Sequence, residues 1–198
     1  YELVAVPDRG PNGNPTALTR NEDGGSITGR PFLIPDYQAV IYTLTFDPSV
    51  GEVTVTDTIP LSRTGENDEV LPITGLPNIS GVDEFPVTEV GVGEGDFTDE
   101  SGTEYDSLGY DPYGGDMEGI VINPGDDTFW MVDEYRPAIY HFLPDGTLFK
   151  RYVPQGTAGL GGEEAGFFGD ETLPAVYNNR RANRGFEGKA LDTEKGIL

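Results

Sequence analysis

The sequence predicts an all-β protein, and three observations support that prediction. Short runs of Val, Ile, Tyr, Phe and Thr recur between clusters of Gly, Pro and Asp, whereas few windows show the 3.6-residue apolar period of a helix. The 198 residues include 28 Gly and 16 Pro, so turns are frequent, yet 36% hydrophobic and 11% aromatic content can support a packed core. The third observation is an internal repeat of hairpins.

Three pairs of segments carry this repeat. In the first pair, an acid–Gly step precedes a strand of alternating polarity. The second pair consists of apolar strands that end in acids, Arg and Pro. The third pair consists of hairpins with Pro, Asp and Gly in the turn. The matching pairs are 116–130 with 185–198, 3–11 with 129–137, and 41–55 with 139–153.

The middle copy of the repeat contains four predicted strands, EGIVI, TFWMVDEY, AIYHFLP and TLFKRYVP. Four antiparallel strands per repeat are typical of the blade of a β-propeller. We therefore predict a β-propeller of four-stranded antiparallel blades, of which this chain covers only part. The alternative is a small irregular β-protein.

The register of the repeat divides the chain into regions. Because a closed propeller needs about four blades or more, the remainder of the propeller is expected from the same polypeptide or from another chain. Residues 92–118 hold nine acids and no base, which we interpret as a solvated loop with some cation binding. The regions are an incomplete blade at 1–61 with an insertion at 11–35, an acidic insertion at 62–115, a complete blade at 116–154, and a loop with the start of the next blade at 155–198.

The composition limits the partners and the compartment. A net charge of −23 argues against bare nucleic acid as a partner, because phosphate binding needs clustered Lys and Arg. No apolar run reaches the roughly 18 residues of a membrane span. Acid-rich, lysine-poor surfaces are typical of extracellular or salty settings and attract divalent cations, although simple solubility explains them equally well.

Several kinds of catalytic site are excluded or disfavoured. There is no Cys, so disulfides and thiolate metal sites are excluded. The single His141 rules out a His-rich metal site, and the G-x-S-x-G and G-x-x-x-x-G-K-[ST] patterns are absent. Metal-assisted hydrolysis by carboxylates is the chemistry that remains.

Carboxylates lie at the ends of the predicted strands. The first strand of each propeller blade lines the central channel, so Glu118 and Glu187 are expected to converge from different blades. Converging carboxylates raise one another's pKa unless a cation lies among them, and oxygen-only ligands suit Ca²⁺, the predicted cofactor. The alternative is that they cap strand ends or pair with arginine. The predicted metal ligands are Asp8, Asp116, Glu118, Asp133, Glu134 and Glu187, and the predicted catalytic carboxylates are Glu118, Asp133 and Glu187.

Arginines near these strand ends are candidates for binding an anionic substrate. Arg9 and Arg136 follow acids at equivalent strand ends, where a guanidinium can hold phosphate in bidentate fashion. The segment NNRRANR supplies Asn179, Arg181 and Arg184 as further candidates. The alternative is that these arginines clamp or neutralise neighbouring carboxylates within the protein.

The segments DRGPNGNP, DMEGI, WMVDEYRPAIYHFLPDG and ETLPAVYNNRRANRGFEGKAL resemble the phytase-like family, described as esterase-like activity of phytase. NNRRANRGFEG is the most specific of these pieces. The family is similar in outline to calcium-dependent β-propeller phytases. The resemblance implies an exported bacterial protein, extracellular or periplasmic, with phosphoesterase or esterase activity.

Two functions therefore follow from the sequence. The first is an exported, metal-dependent phosphoric ester hydrolase that uses a calcium-binding, carboxylate-rich channel and Arg contacts to an anionic small-molecule ester or phosphate. The second is a non-catalytic extracellular β-propeller that acts as a binding, structural or assembly module, because no nucleophile is evident and propellers are frequent scaffolds.

Overall fold

The computed structural model describes residues 1–181, 183–192 and 194–196. Strands dominate these residues, beside one short helix α1 (Thr157–Gly161) and a 3₁₀ turn (Ala175–Asn179), so the all-β prediction is confirmed. No helix within the described ranges is long and apolar enough to cross a membrane. The strands are β1 (Glu2–Ala5), β2 (Thr16–Arg20), β3 (Ser26–Pro31), β4 (Val40–Asp47), β5 (Glu52–Pro60), β6 (Ser62–Thr64), β7 (Val70–Pro72), β8 (Phe85–Glu89), β9 (Phe97–Asp99), β10 (Glu104–Ser107), β11 (Met117–Ile122), β12 (Phe129–Asp133), β13 (Ala138–Phe142), β14 (Leu148–Pro154) and β15 (Asp170–Leu173).

The middle repeat forms an antiparallel meander of β11, β12, β13 and β14, which we call the central sheet. Strand β15 extends it by pairing in parallel with β14. Met131, Tyr140 and Phe142 are fully buried on one face of this sheet. The four strands thus lie where the repeat predicts them, but no closed propeller is observed in the described residues, so the propeller stays a prediction.

The first repeat forms a three-stranded antiparallel sheet in the order β1–β4–β5, the N-terminal sheet. Its Ile41 shares one hydrophobic cluster with Leu61 and with Met131, Tyr140 and Phe142 of the central sheet. Each such side chain contributes about 1.5–3 kcal/mol when it is removed from water. The two sheets are therefore held together by a common core.

The two segments expected to be insertions form a second structural unit instead of loops. Strands β2 and β3 from the first insertion join β8, β9 and β10 from the acidic insertion in a closed barrel of order β10–β8–β3–β2–β9. Leu18, Val87, Phe97 and Tyr105 form its core. The interpretation of residues 92–118 as a solvated loop is therefore wrong for β9 and β10, because Phe97 and Tyr105 of these strands pack into the barrel core.

The segment after the central sheet contacts the end of β12, the second strand of that sheet. Gly185 N–H donates to Glu134 O at 2.6 Å and Phe186 N–H donates to Asp133 O at 3.0 Å. Residues 186–191 form no strand, although the repeat predicts the first strand of a third unit there, and Leu198 lies outside the described residues.

Candidate functional site

Three carboxylates from the two repeated units meet at one point. Asp8 follows β1, Asp116 precedes β11, and Glu118 lies within β11 at a β-bulge that interrupts its pairing with β12. Each offers one oxygen, and these oxygens lie within 4.8 Å of one another. Since Ca²⁺–O distances are about 2.3–2.6 Å, oxygens at this separation can share one ion. We call this group the carboxylate cluster.

The electrostatics of the carboxylate cluster are those of a site that favours a cation. The pKa of Asp116 is raised to about 9, by burial first, then by its hydrogen bond to Asp8 and by the charge of Asp8. Burial also raises the pKa of Glu118, followed by the charges of Glu134, Asp8 and Glu187. A bound divalent cation lowers the pKa of such acids. The donor set and its charge therefore fit a metal ion that takes oxygen ligands.

The backbone at the cluster is shaped for close approach. Glu118 sits in the bulge and is exposed, while Met117 beside it is buried. A Cβ atom at Gly119 would lie only 3.2 Å from the Cα of Gly188, so the two acid–Gly steps of the repeat come together. Bulges near strand ends redirect side chains in this way. The backbones that follow Glu118 and Glu187 are thus close, while the convergence of the two carboxylates themselves stays a prediction.

Asp133 lies beneath the cluster and not within it. Its side chain is fully buried, and its Oδ1 accepts the backbone N–H groups of Asp116 and Arg136, both at 3.2 Å. Its Oδ2 accepts Tyr140 OH at 3.3 Å and Arg151 Nη2 at 3.5 Å. Burial raises the pKa of Asp133 although Arg151 opposes the shift. With both oxygens occupied, Asp133 is placed to hold the backbone of Asp116, and the geometry gives no support to its predicted role as ligand or base.

Glu134 and Glu187 lie at the edge of the cluster. Glu134 lines a pocket of about 100 Å³ together with Asp8 and Asp116. Its carboxylate accepts Arg184 Nη1 at 3.3 Å. Glu187 is exposed, and its charge contributes to the raised pKa of Glu118. Glu134 and Glu187 therefore lie near the cluster without belonging to the three carboxylates that meet there.

Arg9 approaches the cluster from the interior of the protein. Its guanidinium lies between the rings of Phe32 and Tyr135, at 4.9 and 4.7 Å from their centroids. It is paired with Glu84 and lies 3.8 Å from Asp116. Burial lowers the pKa of Arg9. This geometry is that of an internal clamp, which the sequence left as the alternative to substrate binding.

The other predicted arginines differ in their accessibility. Arg136 is 1% exposed and paired with Asp83, so it too has the position of an internal clamp. Arg184 is exposed beside Glu134, at the rim of the site. Asn179 and Arg181 are exposed. Among these four residues, only Arg184 is placed by a contact at the site, and the binding roles of the exposed three stay predictions.

The sequence missed several residues of the site. Asn12, Arg30 and Asn183 line the same small pocket as Asp8. Arg30 donates through Nε to Glu84 at 2.5 Å and through Nη1 to Asn12 Oδ1 at 3.0 Å. Asn12 and Arg30 come from the segment interpreted as the first insertion, and Asn183 comes from the loop before the predicted next blade. No spacing pattern marks these residues. One signal could have indicated Arg30. The chain has 12 basic residues against 35 acids, so every arginine is a candidate partner for an acid.

The fold and the cluster together define a β-sheet protein with a candidate cation site at strand ends of two repeated units. A family model described as "Phytase-like: Esterase-like activity of phytase" matches residues 2–198. The chain therefore belongs to the phytase-like family, as its resemblance predicted. Comparisons with curated proteins and with solved structures give no match.

Proposed function

We propose that this protein is a metal-dependent phosphoesterase that holds Ca²⁺ at Asp8, Asp116 and Glu118. The observation that carries the proposal is the set of three carboxylate oxygens within 4.8 Å, one of them on an acid whose pKa is raised to about 9. Membership of the phytase-like family suggests a phosphoesterase-type function. We further propose that the substrate is an anionic small-molecule phosphate or ester and that the protein is exported.

The residues of the chain divide the chemistry among them. Calcium, when bound, would screen the phosphate charge and polarise the phosphorus for attack by water. In this proposal Glu187 accepts the proton that water loses, and its exposure and the effect of its charge on the pKa of Glu118 support that role. Arg184, at the rim, is the arginine available to the substrate anion. Asp133 keeps Asp116 in place from below.

The test is calcium-dependent hydrolysis of p-nitrophenyl phosphate. We expect activity in Ca²⁺, none in excess chelator, and a loss of about 100-fold or more in Asp8→Asn and in Glu118→Gln. Glu52→Gln, which removes an exposed acid at the opposite end of the N-terminal sheet, is the matched control. Activity that needs no divalent ion, or that survives both cluster substitutions, contradicts the proposal.

A second candidate function is a non-catalytic extracellular module that binds or assembles with other chains, including the remainder of a propeller. The internal pairing of Arg9 with Glu84 and of Arg136 with Asp83 favours it, because two of the predicted substrate contacts are then engaged. Such a module would gain thermal stability from Ca²⁺ and lose this gain in Asp8→Asn. It would hydrolyse neither phosphate nor carboxylic esters.

A further inference from the structure

A second concave site lies away from the carboxylate cluster. It is a groove of about 880 Å³ between the β6–β7 hairpin and the segment that leads into β15. It shares no lining residue with the small pocket at the cluster. Its volume lies in the range of natural ligand sites, about 300–1,000 Å³. The proposed hydrolysis makes no use of this groove.

The floor of the groove is an open stretch of strand edge. On the side of β14 that faces away from β13, Thr147 bridges to Ser62 at one end and Tyr152 pairs with Asp170 at the other end. In between, residues 148–150 pair only with β13, and Gly169 closes the far end against the carbonyl of Arg151. An open edge presents N–H and C=O groups that an added extended strand can satisfy.

Apolar side chains and one arginine surround this edge. Phe149 is 63% exposed and Phe167 is 46% exposed, and both line the groove. The guanidinium of Arg63 lies over the ring of Tyr113, and its Nε is shielded from solvent without a hydrogen-bond partner among the described residues. Its ion pair with Asp111 is loose, at 3.8 Å.

The charges of the groove limit the kind of ligand. Lys150 is neutralised by Asp170 at 2.6 Å, so Arg63 is the cation with the least compensated charge. Glu66 and Glu69 on the hairpin loop also line the groove and disfavour a ligand with several acids. One acidic group opposite Arg63, with uncharged residues elsewhere, gives the best complement.

We propose that this groove binds a short extended peptide, which adds as a strand to the open edge of β14. Its apolar side chains lie against Phe149 and Phe167, and a single carboxylate lies at Arg63. At about 3.3 Å per residue, the open edge at 148–150 spans about 10 Å and pairs with about three residues of the peptide backbone. Backbone pairing supplies affinity, and the aromatic and arginine contacts supply selectivity.

The test is fluorescence polarisation with a fluorescein-labelled, C-terminally amidated peptide Thr-Val-Thr-Val-Glu and the intact chain. We expect saturable binding that weakens about tenfold or more when alternate peptide amides are N-methylated, because the strand hydrogen bonds are then lost. Glu to Gln in the peptide should weaken binding about fivefold. Phe149→Ser should weaken it by a similar factor.

Controls separate the groove from general effects on the protein. Leu33→Ser changes an exposed apolar residue elsewhere, and Arg20→Gln changes an exposed arginine elsewhere; both should bind as the parent does. Arg63→Gln should bind the Glu and Gln peptides equally, and circular dichroism checks that each variant is folded. The absence of saturable binding, equal binding of the N-methylated peptide, or equal effects of Phe149→Ser and Leu33→Ser overturns the proposal.

Discussion

The ends of β1 and β12 occupy equivalent places in the repeat, but their acidic side chains differ in burial and in contacts. Each strand end has an acid and an arginine nearby, yet Asp8, which aligns with Glu134, is exposed, whereas Asp133, one position earlier in the repeat, is fully buried. Asp8 joins the carboxylate cluster. Asp133 accepts hydrogen bonds from the interior and fixes Asp116. Burial, more than residue type, therefore decides whether an acid at a strand end is available to a ligand.

The largest effect that tests this comparison is on stability. Asp133→Ala should lower the free energy of unfolding by about 3–5 kcal/mol, because it leaves Arg151 as a buried charge without its carboxylate. Asp8→Ala should change it by less than about 0.5 kcal/mol, as for most exposed positions. Urea unfolding in chelator measures both. Similar losses for the two variants would show that the structural distinction between the two acids does not hold.

The two predicted substrate arginines near Glu134 give the second test. Arg136→Met should cost about 2–4 kcal/mol of unfolding free energy, because Asp83 stays buried without its partner. Arg184→Met should cost under about 0.5 kcal/mol, since its contact with Glu134 is at the surface. Urea unfolding of Arg136→Met and Arg184→Met measures the two costs. Urea unfolding of Asp83→Asn, alone and combined with Arg136→Met, measures the coupling between Arg136 and Asp83. Additive effects in that double variant would argue against a buried clamp.

The strands of the two repeated units were predictable because their signal is local. Alternating apolar residues and turn residues mark β11 to β14 in the sequence itself. The barrel was not predictable, because its strands are three to six residues long and pair across the chain, as when β3 pairs in parallel with β8. No local pattern specifies such a pairing.

The site shows the same division between local and long-range information. Asp8, Asp116 and Glu118 were predicted as metal ligands from their positions beside strands, and the structure brings them together. The burial of Arg9 depends on Phe32 and Glu84, which come from the two segments that build the barrel. The sequence therefore identified the acids more accurately than the partners of the arginines.

Asp116 provides a smaller test, through the dependence of stability on pH. Its pKa in the folded protein is about 9, above the ordinary value of 3.8, so between these pH values the folded state binds more protons than the unfolded state. Stability is lost as pH rises through that window in chelator. Asp116→Asn should therefore be more stable than the parent at pH 8 by about 1.4 kcal/mol or more, which is one pKa unit.

At pH 3 the same substitution should have little effect, because the acid is protonated in both states. Thermal unfolding at the two pH values measures the difference. Calcium should stabilise the parent at pH 8 and do little for Asp116→Asn. A variant less stable than the parent at pH 8 in chelator would mean that Asp116 is ionised and paired, and not held in a site that needs a cation.

The smallest expected effect concerns the third copy of the repeat, where Lys189 stands at the position of Ile120. Burial lowers the pKa of Lys189 to about 7 from its ordinary 10.5, so the unfolded state binds more protons between these pH values and stability rises with pH there. Lys189→Ile should raise stability at pH 7 by about 1 kcal/mol, since the desolvated charge is removed. It should also flatten the rise in stability between pH 7 and pH 10.

Lys195→Met, at an exposed lysine, is the matched control and should change neither the stability at pH 7 nor its rise with pH. Equal thermal unfolding profiles for Lys189→Ile and Lys195→Met would show that the third copy does not bury this position as the second copy buries Ile120.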